Sequence, residues 1–337
     1  MIGRRVLLAG AASVVATAAH GQYFPRGLQV REVRFPGAGD ATLAGTLVLP
    51  AISEIQRVPG VVLVAGSGPT DRNGNNPLIP VRVDLLKKLA EILGHAGIAT
   101  LRYDKRGIGG STIPPRQSVS GLERFFTWDH FVADVQRAHA ELLRHDEIKP
   151  YATAFLGHSE GGLLSLAASV AMGKSRPYTL VLASTPGRPL ADIVRDQIAR
   201  TLPQLSSTGD RIIDAIRETG QVPGNVPAPF QPIFPSYAGA FLQAAFAFEP
   251  AKTLERTDIP CLLLQGGADT QVIPMGDIEP LIDALRARTA PAEIFIAPRV
   301  SHNLKTVSAP DDPGFAGPVA SSIETKLVEW LHRSLGA

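Results

Sequence analysis

The stretch TAFLGHSEGGLLSLAASVAM, residues 153–172, decides how the rest of the chain is read. Thr153–Leu156 is a short apolar run of the kind a sheet buries on both faces. Gly157-His158-Ser159-Glu160-Gly161-Gly162 follows it, and from Leu163 to Met172 apolar residues return at helical spacing. A Gly-x-Ser-x-Gly pattern occurs by chance. Set between a strand and a helix, it predicts a nucleophile elbow. The glycines are required because the turn is tight and a Cβ at either flank would meet neighbouring backbone. Such a turn lifts the Ser159 hydroxyl above the sheet edge, where a helix N-terminus favours developing negative charge.

Working outward, similar apolar runs stand at Val58–Ala65, Ala99–Tyr103, Leu180–Ala183, Cys261–Gln265 and Glu293–Ala297. Segments of helical period lie between them: Asp84–Ala96, Trp128–Arg144, Ile278–Ala287 and Ile323–Leu331. Strands alternating with helices predict an α/β chain with a mostly parallel sheet covered by helices on both faces. Gln29–Pro36 and Ala41–Pro50 alternate polar and apolar around Gly37-Ala38-Gly39-Asp40, which reads as an antiparallel hairpin and makes the sheet mixed. The rhythm breaks over residues 187–253. There Leu190–Leu202, Asp210–Thr219 and Ser236–Phe248 are helical patterns around a proline-rich stretch, so a helical cap inserted into a core of residues 28–186 and 254–335 is expected. The plainer reading of that insertion is a surface excursion without a role.

The 33 Lys+Arg and 31 Asp+Glu leave a formal net charge of +2. Arg4 and Arg5 account for the excess, so the remainder is neutral overall, unlike a surface built for nucleic acid. The single cysteine, Cys261, allows no intramolecular disulfide and sits in an apolar run as a core residue. Residues 1–21, MIGRRVLLAGAASVVATAAHG, place two arginines before an apolar run that ends in Ala19-His20-Gly21. This is the pattern of a secretory signal, so the protein is expected to be exported to the periplasm or beyond. The run is too short for a stable membrane span. Arg4-Arg5 also suits a twin-arginine signal, and the export route stays open.

A serine hydroxyl needs a base. Of eight histidines, His20 leaves with the signal, His158 is adjacent to the serine, and His95, His130, His139, His145 and His332 belong to helical segments. His302 alone follows the final strand on a loop, in Arg299-Val300-Ser301-His302-Asn303. The orienting acid should come after the preceding strand, which points to Asp269 in Gly266-Gly267-Ala268-Asp269; Asp277, near a helix start, is its rival. Two backbone N–H groups should hold an oxyanion. One is that of Glu160, and the other that of Ser67, with Gly68 as rival, in Ala65-Gly66-Ser67-Gly68-Pro69-Thr70-Asp71-Arg72. That loop has no lysine for a phosphate cradle and lacks the third glycine of a dinucleotide fingerprint. Asp71 and Arg72 are expected to pair and hold it. The charged run Tyr103–Ser111 reads as structural. No metal-ligand spacing is present, and no metal or cofactor is expected.

Three ordered motifs, Gly66–Arg72, Arg102–Gly109 and Gly157–Gly162, resemble the α/β-hydrolase superfamily over residues 30–335, nearest to bacterial esterase-like members by the serine aminopeptidase branch. One departure is Ser301-His302-Asn303, where members often carry Asn-His. The site predicts a serine hydrolase that cleaves carboxylic esters through an acyl-enzyme, acting on a small acyl substrate. A peptidase for short peptides is the alternative and would want an acid in the cap, with Asp192, Asp196, Glu218 and Glu249 as candidates. A thioesterase and a non-catalytic binder complete the set. The cap aromatics Phe230, Phe234, Tyr237, Phe241, Phe246 and Phe248 suggest an apolar pocket. Oligomeric state is not readable.

Overall fold

The computed structural model describes residues 27–51, 57–114, 118–309 and 312–336; the signal reading of residues 1–21 lies outside them. Among the described residues one sheet holds eight strands: β1 (Gln29–Pro36), β2 (Thr42–Leu49), β3 (Val58–Val64), β4 (Ala99–Tyr103), β5 (Ile148–His158), β6 (Thr179–Ala183), β7 (Cys261–Gly266) and β8 (Ala292–Ala297). Their order is β1-β2-β4-β3-β5-β6-β7-β8. From β4 to β8 every pairing is parallel, while β1 and β2 add on antiparallel at one edge. The hairpin runs in register from Gln29 opposite Leu49 to Pro36 opposite Thr42. Pro59 has no N–H to give the central ladder. The β3–β5 register shifts between Val58 and Gly60.

The helices are α1 (Leu85–His95), α2 (Val119–Phe125), α3 (Trp128–Leu142), α4 (Glu160–Ala171), α5 (Leu190–Thr201), α6 (Ser206–Thr219), α7 (Gly239–Ala247), α8 (Pro250–Glu255), α9 (Glu279–Ala287) and α10 (Ser321–Leu335). The strands' period of two divides the core cleanly. Val62, Phe155, Leu182 and Leu263 face α3, α4 and α9, whereas Val61, Leu156, Val181 and Leu264 face α1 and α10. Truncating one such leucine to alanine typically costs about 2–5 kcal/mol.

Several boundaries differ from the sequence expectation. The strand leading to the elbow starts at Ile148, five residues earlier than Thr153, because Lys149 and Tyr151 are solvated and hide the period. Helix α4 begins directly at Glu160 and α6 at Ser206. Two helices carried no usable period. Helix α2 runs for only 7 residues, capped where Ser118 accepts the Gly121 N–H, and α8 opens on Pro250 at its first position. His145 stands in the turn after α3 rather than on the helix. Between β6 and β7, helices α5, α6 and α7 gather an apolar cluster of their own around Ile198, Ile213, Phe230, Phe234 and Leu242.

Candidate active site

The sharpest backbone feature lies where β5 turns into α4. Ser159 adopts φ 55°, ψ −123°, a conformation that costs an ordinary residue on the order of 1–3 kcal/mol. Its N–H donates to the Ala183 carbonyl at 2.8 Å, which ties the turn to β6. The three flanking glycines are dictated by contact. A Cβ on Gly157 would overlap the Gly161 carbonyl, one on Gly161 would overlap Val64 O, and one on Gly162 would overlap the Thr185 hydroxyl.

The loop after β8 delivers His302, which is buried to 6% exposure. Its Nδ1 lies 2.8 Å from Oδ2 of Asp269 on the loop after β7. A carboxylate accepts there, so Nδ1 carries the proton and Nε2 presents a lone pair. Asp269 is held at every turn. Its Oδ1 accepts the N–H groups of Gln271 and Val272 at 2.8 and 2.9 Å, and Oδ2 also accepts from Gln265 Nε2 at 2.9 Å. Burial works against the carboxylate, but the imidazole and the two backbone donors outweigh it and hold the carboxyl below its ordinary range. Asp277, the rival, is engaged elsewhere, accepting from Arg188 and from the Ile273 N–H at 2.9 and 2.8 Å.

The backbone of His302 is fixed by two residues that the sequence did not single out. Its carbonyl accepts from His158 Nε2 at 2.8 Å and from Ser184 Oγ at 3.0 Å. Burial, reinforced by the nearby His302, pushes His158 down to about 3, so it stays neutral and donates. No signal in the chain could have found this contact, since 144 residues separate the partners. Ser184 itself has φ 47°, a second left-handed residue beside the site.

On the opposite wall, the N–H groups of Ser67 and Glu160 find no acceptor among the described residues. The Gly66 carbonyl accepts from Lys105 Nζ at 2.6 Å, and that ammonium also lies 3.9 Å from Glu160 Oε1. Burial pushes the ammonium down and the Glu160 carboxyl up, and each partly offsets the other's shift. The expected pairing of Asp71 with Arg72 is not formed. Neighbouring side chains diverge here: Asp71 accepts the N–H groups of Asn73 and Asn75, while Arg72 reaches Asp104 at 2.9 Å and pairs with Glu32. The run around Asp104 is structural in part. Asp104 also accepts the Gly110 N–H, and Arg106 makes two 2.8 Å bonds to Asp134.

Ser159, His302, Ser67 and Glu160 open onto one cavity of about 960 Å³ beneath α5 and α7, which is of ligand size. Its walls are largely apolar, with Phe234, Tyr237, Phe241 and Phe246 among them; Phe230 and Phe248 pack elsewhere. Asp192, Asp196, Glu218 and Glu249 do not line it. A smaller chamber of about 100 Å³, bounded by Gly66, Asn76, His158 and Asn303, adjoins the same serine. Among the described residues no group of His, Cys, Asp and Glu could hold a metal ion, and no helix is long and apolar enough to cross a membrane.

Comparison with known proteins gives the chain its family. Residues 82–306 match the family model described as serine aminopeptidase, S33. Esterase EstD of Thermotoga maritima is 29% identical over 218 residues, 64% of this chain and 47% of that protein, so the chain spans about half the length of this curated relative. Among solved structures, an acetyl xylan esterase from Paenibacillus sp. R4 superposes with a TM-score of 0.59 at 17% identity, covering 93% of this chain and 86% of that one. Est1E from Butyrivibrio proteoclasticus, solved with ferulic acid, gives 0.60 at 15%, covering 90% and 100%. The proline iminopeptidase of Mycobacterium smegmatis gives 0.55 at 16%, covering 90% and 98%. At such identities these structures speak for the fold alone. With its family model spanning more than half of its length, the chain belongs to the serine aminopeptidase family of α/β hydrolases.

Proposed function

We propose that the protein hydrolyses carboxylic esters through an acyl-enzyme on Ser159. His302 Nε2 takes the Oγ proton as the oxygen attacks the ester carbonyl carbon. The carbonyl oxygen becomes an oxyanion that the Ser67 and Glu160 N–H groups receive, with Gly68 as the neighbouring alternative to Ser67. The tetrahedral intermediate collapses, the C–O bond to the alcohol breaks, and the imidazolium returns its proton to the departing alkoxide. Water, deprotonated by the same nitrogen, then attacks the acyl carbon and frees acid and serine. Asp269 stabilises the imidazolium without taking its proton. Among the described residues Ser159 Oγ and His302 Nε2 are not hydrogen-bonded, a looseness common before substrate arrives.

The observation that carries this reading is that His302, 2.8 Å from Asp269, lines one cavity with a serine held at φ 55°. The family's name favours a peptidase as the second reading. An aminopeptidase needs an acid to hold the substrate's ammonium, and the acid that lines this cavity, Glu160, already faces Lys105. Asp196 is paired with Arg188 and Glu249 with Lys252. The apolar walls supplied by α5 and α7 suit an acyl or aryl group, with residues 187–253 acting as a cap over it.

The test is hydrolysis of p-nitrophenyl esters of increasing acyl length, beside aminoacyl p-nitroanilides, by the wild type and Ser159→Ala. Ester turnover should fall by about 10⁶ in the variant. Turnover of the anilides alone would move the assignment to a peptidase, and ester turnover that survives Ser159→Ala would end the serine mechanism.

A further inference from the structure

The proposed mechanism leaves Lys105 without a task. An ammonium with only 5% of its side chain exposed is expensive to bury, and its placement is specific. It donates to the carbonyl oxygen of Gly66, and that carbonyl belongs to the same peptide unit as the Ser67 N–H. A peptide unit is planar and, in the trans form found throughout the described residues, its C=O and N–H point in opposite directions. A cation gripping the oxygen from one side therefore turns the N–H to the other. Ser67 lines the same cavity as the nucleophile. A Cβ built on Gly66 would come within 3.3 Å of Ser159 Cβ, so this backbone runs against the elbow. The same ammonium lies 3.9 Å from the carboxylate of Glu160, the residue whose N–H is the second donor.

Resting on the assignment of the Ser67 and Glu160 amides above, we infer that Lys105 is a positioning residue of the oxyanion hole: it fixes and polarises the Gly66–Ser67 peptide, and offsets the buried Glu160 charge beside the developing oxyanion. Both effects act on the transition state. A charge-assisted hydrogen bond at a carbonyl draws density from the amide and makes its N–H a stronger donor. Without the ammonium the peptide is free to rotate, and a carboxylate one residue from the nucleophile opposes the oxyanion across a low-dielectric wall. The lysine comes from the loop after β4, whose other charges serve the frame: Asp104 binds Arg72, and Arg106 binds Asp134. One loop thus secures helix α3 and both braces and aims the loop after β3.

The test uses Lys105→Met and the double variant Lys105→Met/Glu160→Gln in the full-length protein. Active sites are counted by complete titration with a fluorophosphonate, so that misfolded protein does not enter the rates. Ester kcat per site should fall about 10–10²-fold in both variants, with KM within about threefold, because one oxyanion donor is worth about 10²–10³. The inhibition constant of an alkyl trifluoromethyl ketone, whose adduct with Ser159 carries an oxyanion, should rise by the same factor as kcat falls. A purely structural lysine would lower Tm and leave that constant unmoved. The double variant keeps the measurement possible, since it leaves no unpaired buried carboxylate if the single variant folds poorly. The inference is overturned if kcat per site stays within threefold of wild type, if kcat falls while ketone affinity does not, or if the double variant recovers wild-type kcat. Should Ser159→Ala retain ester turnover, the underlying mechanism fails first, and that result is distinct from each of these.

Discussion

The loops at the carboxyl edge of the sheet and the helices inserted between β6 and β7 are built by different physics. At the sheet edge nearly every group near the serine is tied by buried polar contacts: Asp269 by four donors, the His302 carbonyl by His158 and Ser184, Gly66 by Lys105. The insertion coheres through apolar contacts among α5, α6 and α7, and its ion pairs, such as Arg195 with Asp210 and Asp214, involve half-exposed carboxylates. Hydrogen bonds fix direction, which chemistry needs. Apolar contact fixes volume, and a substrate pocket can be reshaped at little cost to the frame. The division predicts that substitutions at the sheet edge change rate or stability steeply, and substitutions in the insertion change preference.

The largest effect tests the edge. Asp269→Asn keeps the shape of the side chain but offers an amide where His302 Nδ1 needs an acceptor. The imidazole then favours the wrong tautomer, and ester kcat should fall by about 10⁴ at neutral pH. Asp277→Asn, aimed at Arg188 and the Ile273 N–H, should leave kcat within about threefold. Equal losses in the two variants would show that the acid had been assigned to the wrong loop.

A stability measurement contrasts two arginines. Arg106 is 1% exposed, and its two bonds to Asp134 are reinforced by donation to the Ala38 and Phe125 carbonyls. Arg106→Met strands a buried carboxylate and should cost about 3–5 kcal/mol in chemical denaturation. Arg195→Met, in the insertion, removes contacts to solvated partners and should cost less than about 1 kcal/mol. Comparable losses would mean that the insertion is tied together as the edge is.

How much of this was legible follows from range. Val58–Val64 and Cys261–Gly266 announce themselves as strands buried on both faces because each is continuous and apolar. The exchange that seats β4 between β2 and β3 leaves no such mark, being a matter of pairing between distant segments. The loops of Asp269 and His302 could be read from chain order and from the scarcity of histidines after the last strand, and the structure brings those two side chains into contact. Lys105 was hidden by its company. In Tyr103–Ser111 it is one charge among several, and only the fold separates those that brace loops from the one that reaches Gly66. Asp71 and Arg72 mislead for the converse reason: adjacency in the chain is not adjacency in space, and Arg72 pairs 32 residues away.

The smallest effect sharpens the other half of the comparison. Val194 on α5 is half-buried and lines the large cavity, whose volume of about 960 Å³ exceeds that of an added phenyl ring. Val194→Phe fills part of that volume without touching the groups that hold Asp269, His302 or Gly66. Its penalty should therefore depend on the substrate. Short acyl esters should be turned over within about twofold of wild type, whereas kcat/KM for long acyl esters should drop about tenfold, the scale on which hydrophobic pockets discriminate size. Tm should move by no more than a degree or two, because the new ring enters existing space rather than forcing packed neighbours apart. A loss uniform across chain lengths would place the acyl group outside this cavity and leave the insertion without the selective role that its apolar walls imply.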